Sequence, residues 1–494
     1  MAKTDTKDKR KPKSKDLFWK RESAWGTLCK DDAAKMEAYC AKYLDFVSQA
    51  KTEREAHDLA LGAALEVGYR HLDSADSLAA GDKVVRSTRG KSLFLAHIGE
   101  KPVHEGVRIL GGHIDAPRLD AKPKPLYEDS ELVLLDTHYY GGIRKYQWVT
   151  MPLAIHGVVV RQDGTVVPVA IGEDLNDPVF VITDLLPHLA KDQNKKTLSE
   201  GITGENLNVL FGSRFDSEQE NDEDSSDDKA KKDSKEKVKS RLLDILKEKY
   251  NIEEEDLASA ELEVVPAGPA RELGLDRSMM LAYAHDDRIC AYASLRALLE
   301  LEQTPEYTAV VLLADREEVG SVGATGMDSL FFENTIAEVL SRCGEPYSDL
   351  LVRRSLEASR MISADVSPLH DPNYPEVSSP NNMGRMNAGV VVDKYTGARG
   401  KSGCSEASAE FMADLRRIFN GAGVIWQTGE LGKVDQGGGG TISMFLARYG
   451  MDVVDCGAGL LSMHAPWEVA SKLDTFMMFK GYRAFLEDRS TNKS

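Results

Sequence analysis

Apolar positions change their period several times along this chain, and the changes divide it. From Leu17 to about Gly81 apolar side chains recur at helical spacing, as at Met36, Tyr39, Cys40, Tyr43, Leu44 and Phe46. Short solid apolar runs then alternate with turns. Residues 92–96 and 107–110 are predicted strands, and the second runs straight into Gly111-Gly112-His113. Between about 120 and 265 the rhythm differs. The runs 132–135, 154–160, 166–171 and 180–182 read as strands with no βαβ alternation. Residues 216–239 are acidic, then mixed with lysine, and nearly free of apolar side chains, which predicts a disordered loop. A helical pattern follows at Val238, Leu242, Leu243, Ile245 and Leu246.

From about 278 onward strands and helices alternate again. Residues 307–314 form a buried-strand run that ends at Asp315-Arg316-Glu317-Glu318, and 451–456 form another that leads into Gly457-Ala458-Gly459. Asp286-Asp287 open a helical pattern (Ile289, Tyr292, Ala293, Leu295, Leu298, Leu299), where acidic side chains suit a positive helix start. The expected class is therefore α/β. A mixed sheet flanked by helices is built from 17–119 and 271–494 and is interrupted by a β-rich insert at 120–270, with a disordered acidic loop at 214–240 and a disordered tail at 1–16. At 494 residues, more than one domain is expected.

Bulk properties narrow the partners. The net charge of −18 argues against nucleic acid, whose binding is driven by basic patches; the Lys7–Lys15 cluster is a local exception read as solvated tail. Six scattered cysteines with no C-x-x-C pair predict reduced thiols. The first apolar cluster, Leu17-Phe18-Trp19, is too short for a signal peptide, and no run approaches the ~18 apolar residues of a membrane span. A cytoplasmic protein with no membrane partner is expected.

Five segments carry metal-binding side chains: Gly112-His113-Ile114-Asp115, His285-Asp286-Asp287, Asp315-Arg316-Glu317-Glu318, Ser363-Ala364-Asp365 and Ser462-Met463-His464. Each alone is open to a bland reading as loop, cap or solvated edge. Together, two histidines and several carboxylates, mostly just past strand ends, are the inventory of a hydrolase with two divalent ions about 3.5–4 Å apart. His113 and Asp115 face the same way in an extended segment, so Asp115 can fix the tautomer of His113. Glu317 and Glu318 at a buried strand end would repel without a cation, and one of them is free to act on the attacking water. His285 and His370 are not assigned as ligands. The Gly437–Gly440 run lacks the ending of a phosphate loop and is read as permitting close approach.

The order His-x-Asp, Asp-Asp, Glu-Glu-Val-Gly-Ser, Ser-Ala-Asp, Gly-Gly-Thr-Ile and Met-His resembles the M18 metallo-aminopeptidases from about residue 20 to 485, and Gly429-Glu430-Leu431-Gly432-Lys433-Val434-Asp435 is closer to their aminopeptidase I branch. The resemblance implies a metallopeptidase core with an inserted β-rich dimerisation domain, assembled as a tetrahedral dodecamer. It implies release of N-terminal residues from peptides with a free N-terminus, using two divalent ions (zinc, with cobalt or manganese as options). His113, Asp286 and Asp365 would hold one ion; Asp286, Glu318 and His464 would hold the other, with Asp286 bridging. Glu317 would be the general base and Asp115 would orient His113. Lys394 would bind substrate, and His188 would reach a neighbouring subunit's site. The aspartyl branch carries more than one histidine soon after Ser-Ala-Asp. Here only His370 follows, so acidic and neutral specificity both stay open. The rival readings are an amidohydrolase of small N-acyl compounds and a silent scaffold.

Overall fold

The computed structural model describes residues 17, 19, 23–215 and 236–489. The expected tail at 1–16 and most of the acidic loop (216–235) lie outside the described residues.

The long apolar runs become the centre of a nine-stranded mixed sheet. Its spatial order is Arg70–His71, Lys83–Thr88, Ser92–His97, Ala309–Ala314, Arg108–His113, Arg360–Ser363, Asp452–Gly457, Val390–Asp393 and Trp426–Thr428. The runs are continuous rather than alternating because both faces are covered. Successive residues point to opposite faces: Leu93 and Leu95 join one core with Val311, Leu313 and Leu110, while Phe94, Ala96, Val310, Leu312 and Ile109 join the other. The first core is roofed by helices Lys30–Gln49, Glu53–Glu66, His285–Leu299, Ala409–Gly421 and Lys472–Glu487; the second is roofed by Phe331–Arg342 and Asp349–Glu357. The predicted N-terminal helical region resolves into two helices. The second starts at a capping box, with Thr52 accepting from the Glu55 N–H and Glu55 accepting from the Thr52 N–H.

A separate six-stranded antiparallel sheet is built entirely between Arg118 and Pro266, in the order Val166–Ile171, Leu153–Val160, Ala260–Pro266, Arg118–Asp129, Leu132–Tyr140 and Val209–Gly212. It has its own apolar core around Trp148, Leu153, Ile155, Leu207 and Val264. Two expectations differ here. Residues 180–182 make only isolated bridges, Leu153↔Phe180 and Val181↔Leu210. Arg118–Asp129, which no hydrophobic pattern announced, is a long strand interrupted by a register shift between Ala121 and Leu126, over Lys122-Pro123-Lys124-Pro125. A third sheet of five short strands, including Met279–Ala282 and Glu468–Ser471, lies beside the site.

Candidate metal centre

The Arg108–His113 strand delivers His113 at its end, between the strand ending at Ala314 and the strand ending at Ser363. Gly112 is required there: a Cβ would come within 3.0 Å of Asp287 Oδ2 and 2.9 Å of the Ala364 carbonyl. Beyond Ala314 the chain makes one tight turn, Glu317–Val319, bracketed by left-handed Arg316 and Gly320. Asp115 holds this turn in place. Its Oδ1 accepts from the Glu317 N–H (3.1 Å), and its Oδ2 accepts from the Glu318 N–H (3.2 Å) and from the Tyr140 hydroxyl (2.8 Å). Asp115 is fully buried and holds the backbone of both glutamates, with its Oδ1 also 3.2 Å from His113 Nδ1.

Asp286 and Asp287 stand in the first turn of the helix His285–Leu299, where the sequence pattern put the helix start, but they do not continue its geometry. Both have non-helical backbone angles after left-handed Ala284, and the helix proper begins beyond them. This twist sends the two carboxylates to different sides. Asp286 sits between the two imidazoles, with Oδ1 3.3 Å from His113 Nε2 and Oδ2 3.2 Å from His464 Nε2. Glu317 Oε2 is 3.9 Å from His113 Nε2, and Glu318 Oε2 is 3.8 Å from His464 Nε2. The donor atoms fall into overlapping groups within 4.8 Å of one another: Asp286, Glu318 and His464; His113, Asp287 and Asp365; and His113, Glu317 and Glu318.

The outward nitrogens are fixed. His113 Nδ1 donates to the Asp115 carbonyl (3.0 Å) and His464 Nδ1 to the Gly142 carbonyl (3.0 Å), which leaves both Nε2 atoms facing Asp286. One carboxylate, Glu468, ties two ligand loops together: its Oε1 accepts from the His464 N–H (2.6 Å) and its Oε2 from the Asp286 N–H (3.0 Å). His285 is turned away from the cluster. Burial lowers its pKa to about 4, so the ring is neutral; its Nε2 donates weakly to the Met280 carbonyl (3.4 Å) and its Nδ1 accepts from the Tyr43 hydroxyl (2.7 Å). His370 pairs with the Ser378 hydroxyl, also away from the cluster.

The electrostatics call for cations. Burial pushes the carboxyl of Glu317 up to about 7 and those of Glu318, Asp365 and Asp287 well above the ordinary range. Burial also opposes ionisation of Asp286, but its hydrogen bonds to the two imidazoles hold it low. Both oxygens of Asp287 and Oε1 of Glu318 are buried without a hydrogen-bond partner. Five carboxylates and two imidazoles converging with orphaned oxygens fit divalent metal ions and are costly without them.

A cavity of about 590 Å³ opens onto this cluster. Glu317, Glu318, Asp286, Asp365 and His464 line it, as do Gly438–Gly440. The glycines act as expected: a Cβ at Gly438 would meet the Ala398 backbone at 2.4 Å. Lys394 is outside the lining. It is exposed and 3.7 Å from Glu406, while its neighbours Asp393 and Tyr395 face the cavity. His188 is also outside the lining of its own chain's cavity, on an exposed stretch with Leu185, Leu186 and Leu189. Sequence reasoning missed Glu468, Tyr140 and Gly142, and named Asp287 within a metal-binding segment without giving it a ligand role. The one local signal was a glutamate (Glu468) embedded in the apolar stretch Trp467–Ala470.

Comparison with known proteins finds relatives in both sequence and fold. A sequence profile described as aminopeptidase I zinc metalloprotease (M18) matches residues 46–486. A probable M18 family aminopeptidase 1 of Clostridium acetobutylicum is 50% identical over 479 residues, covering 96% of this chain and 99% of that one. The crystal structure of an M18 aminopeptidase from Thermotoga maritima is 41% identical, covers 95% of this chain and 100% of that one, and superposes with a TM-score of 0.88. The mApe1 of S. cerevisiae, solved as a dodecamer, shares the fold at 20% identity and a TM-score of 0.70, over 92% of this chain and 97% of that one.

Proposed function

Because the chain belongs to the M18 family of aminopeptidase I zinc metalloproteases, and so is a metal-dependent aminopeptidase, we propose that its cavity holds two divalent ions, with Asp286 between them. His113 and Asp365 complete one site; Glu318 and His464 complete the other. The observation that carries this is the placement of one Asp286 oxygen against each imidazole. Zinc suits the mixed His/carboxylate donors, and cobalt or manganese fit them as well. When bound, such ions polarise the scissile carbonyl and acidify water.

The chain's own groups do the rest. Glu317 takes the proton of the attacking water and returns it to the leaving amine. Asp115 sets the turn that aims Glu317 and fixes the tautomer of His113. Acting on peptides with a free N-terminus, the enzyme releases the first residue. The β-rich sheet serves dimerisation within a homo-oligomer, a tetrahedral dodecamer, in which His188 reaches a neighbouring subunit's cavity; the exposed leucines beside it suit that contact. Six free thiols suit a cytoplasmic location.

The test is hydrolysis of free and N-acylated aminoacyl amides by chelated protein, with zinc, cobalt or manganese added back and bound metal counted. Full activity with one ion per chain would sink the two-ion reading.

A further inference from the structure

Away from the metal cluster, the cavity is lined by Asp393. This residue closes the strand Val390–Asp393, opposite Asp455 in register. Its strand lies two places from Arg360–Ser363, which leads to Asp365, and three places from the strand that delivers His113. At ~4.8 Å per strand, the carboxylate stands on the order of 10 Å to one side of the metal-binding groups. That is too far to meet the α-amino group of a substrate whose scissile carbonyl lies at the cluster, because that nitrogen is two bonds from the carbonyl carbon. It is within reach of a long side chain on the same N-terminal residue.

Asp393 is 7% exposed, and its Oδ1 has no hydrogen-bond partner. Ser367 Oγ and Thr396 Oγ1 are likewise buried without partners, and all three residues line the cavity. Burial pushes the Asp393 carboxyl up to about 7, and the neighbouring Asp455 and Glu430 carboxylates push the same way; the Ser367 hydroxyl lies against it and pulls the other way, but without the geometry of a hydrogen bond, so the group stays short of a cationic partner. Three buried polar atoms with nothing to bind are a cost that a ligand's donors would remove.

No lysine or arginine is among the described residues lining this cavity. Beyond Tyr395, Thr396 and Leu431 lies an adjoining pocket of mixed charge, where Glu430, held by the Tyr395 hydroxyl at 2.6 Å, stands with Arg399, Lys401 and Lys433. Leu431, Met444 and Phe445 supply apolar wall for an aliphatic stem. Gly429 keeps the pocket end open, since a Cβ there would come within 2.3 Å of Asp393 Oδ1.

We propose that Asp393 determines which N-terminal residue is released, selecting a long cationic side chain, lysine or arginine, and rejecting aspartate and glutamate. This rests on the reading of the cavity as the aminopeptidase site.

The test is kcat/KM of the metal-loaded full chain on Lys, Arg, Met and Glu amides. Lysine should exceed its neutral near-isostere methionine about tenfold or more, and exceed glutamate by a wider margin. Asp393→Asn should lower the Lys/Met ratio about tenfold, mainly through KM, and Asp393→Lys should place Glu above Lys. A wild-type enzyme that cleaves Glu or Met as well as Lys overturns the proposal. So does an Asp393→Asn protein that loses Lys and Met activity in equal proportion, which would mark a structural role. Should neither Asp393 variant fold, the wild-type ranking and a lowered Lys/Met ratio in Thr396→Val decide. Absence of metal-restored cleavage of any free amide would instead overturn the aminopeptidase reading itself, whereas a Met-preferring active enzyme overturns only this inference.

Discussion

Replacing Glu468 by Gln should weaken metal binding without removing a single ligand. The two oxygens of Glu468 accept from different N–H groups, those of His464 and Asp286, in a position 1% exposed. An amide offers one acceptor oxygen and turns an NH₂ toward the other donor. One buried N–H is then left unsatisfied, at about 1–3 kcal/mol, and the surviving bond loses its charge assistance. Both N–H groups belong to ligand residues, and His464 sits in a tight turn at φ 63°. Part of the cost therefore falls on the aim of His464 and Asp286 rather than on the global fold. Ten- to hundredfold weaker zinc binding is expected, about 1.4–2.7 kcal/mol, with kcat reduced in step. Competition against a chelator of known affinity measures this directly, and thermal unfolding of the metal-free protein measures the remainder. A folded Glu468→Gln protein that binds zinc within threefold of wild type would refute the reasoning, because the two loops would then hold their positions without their common acceptor.

Glu317→Gln should bind metal and assemble normally while losing turnover on the order of 10²–10⁴-fold; single-turnover rates at matched metal content check it, and wild-type rates would refute the assignment. Tyr140→Phe removes one bond to a charged acceptor, about 1.5–3 kcal/mol, while Asp115 keeps two backbone N–H partners; kcat should fall about tenfold, and an unchanged rate would show that the β-rich sheet does not support the site. His156 is buried between Glu55 (2.8 Å) and Glu173 (3.2 Å); burial opposes its charge, but these bonds outweigh burial and raise its pKa. Its stabilising effect is therefore complete below the ordinary imidazole range and lost as pH rises through the folded-state value, so the Tm gap between wild type and His156→Gln should be wider near pH 6 than near pH 9; a constant gap would refute it.

What the sequence made legible follows from where the information sits. The strands ending at His113 and Ala314 are covered on both faces, so their runs are apolar and end abruptly at polar residues, and local reading finds both the strand and its ligand; Arg360–Ser363 has only two apolar residues and gave no strand signal. Arg118–Asp129 escaped because its inward side chains include Arg118, buried among Glu53, Asp120 and Glu263, so burial there is ionic rather than apolar. In Val391-Val392-Asp393-Lys394 the choice between neighbours is a choice of face. Consecutive extended residues point oppositely, and motif matching chose Lys394 where Asp393 and Tyr395 on either side of it line the cavity. The groups that aim the ligands were hidden for another reason: Gly142 meets His464 across 322 residues, and Tyr140 and Glu468 likewise come from other elements. A ligand announces itself by its type and its place at a strand end. An aiming group can be any donor or acceptor, including a backbone carbonyl, so only the folded path shows which one is used. This asymmetry makes the Glu468 and Tyr140 variants sharper tests of the site than substitution of the ligands themselves.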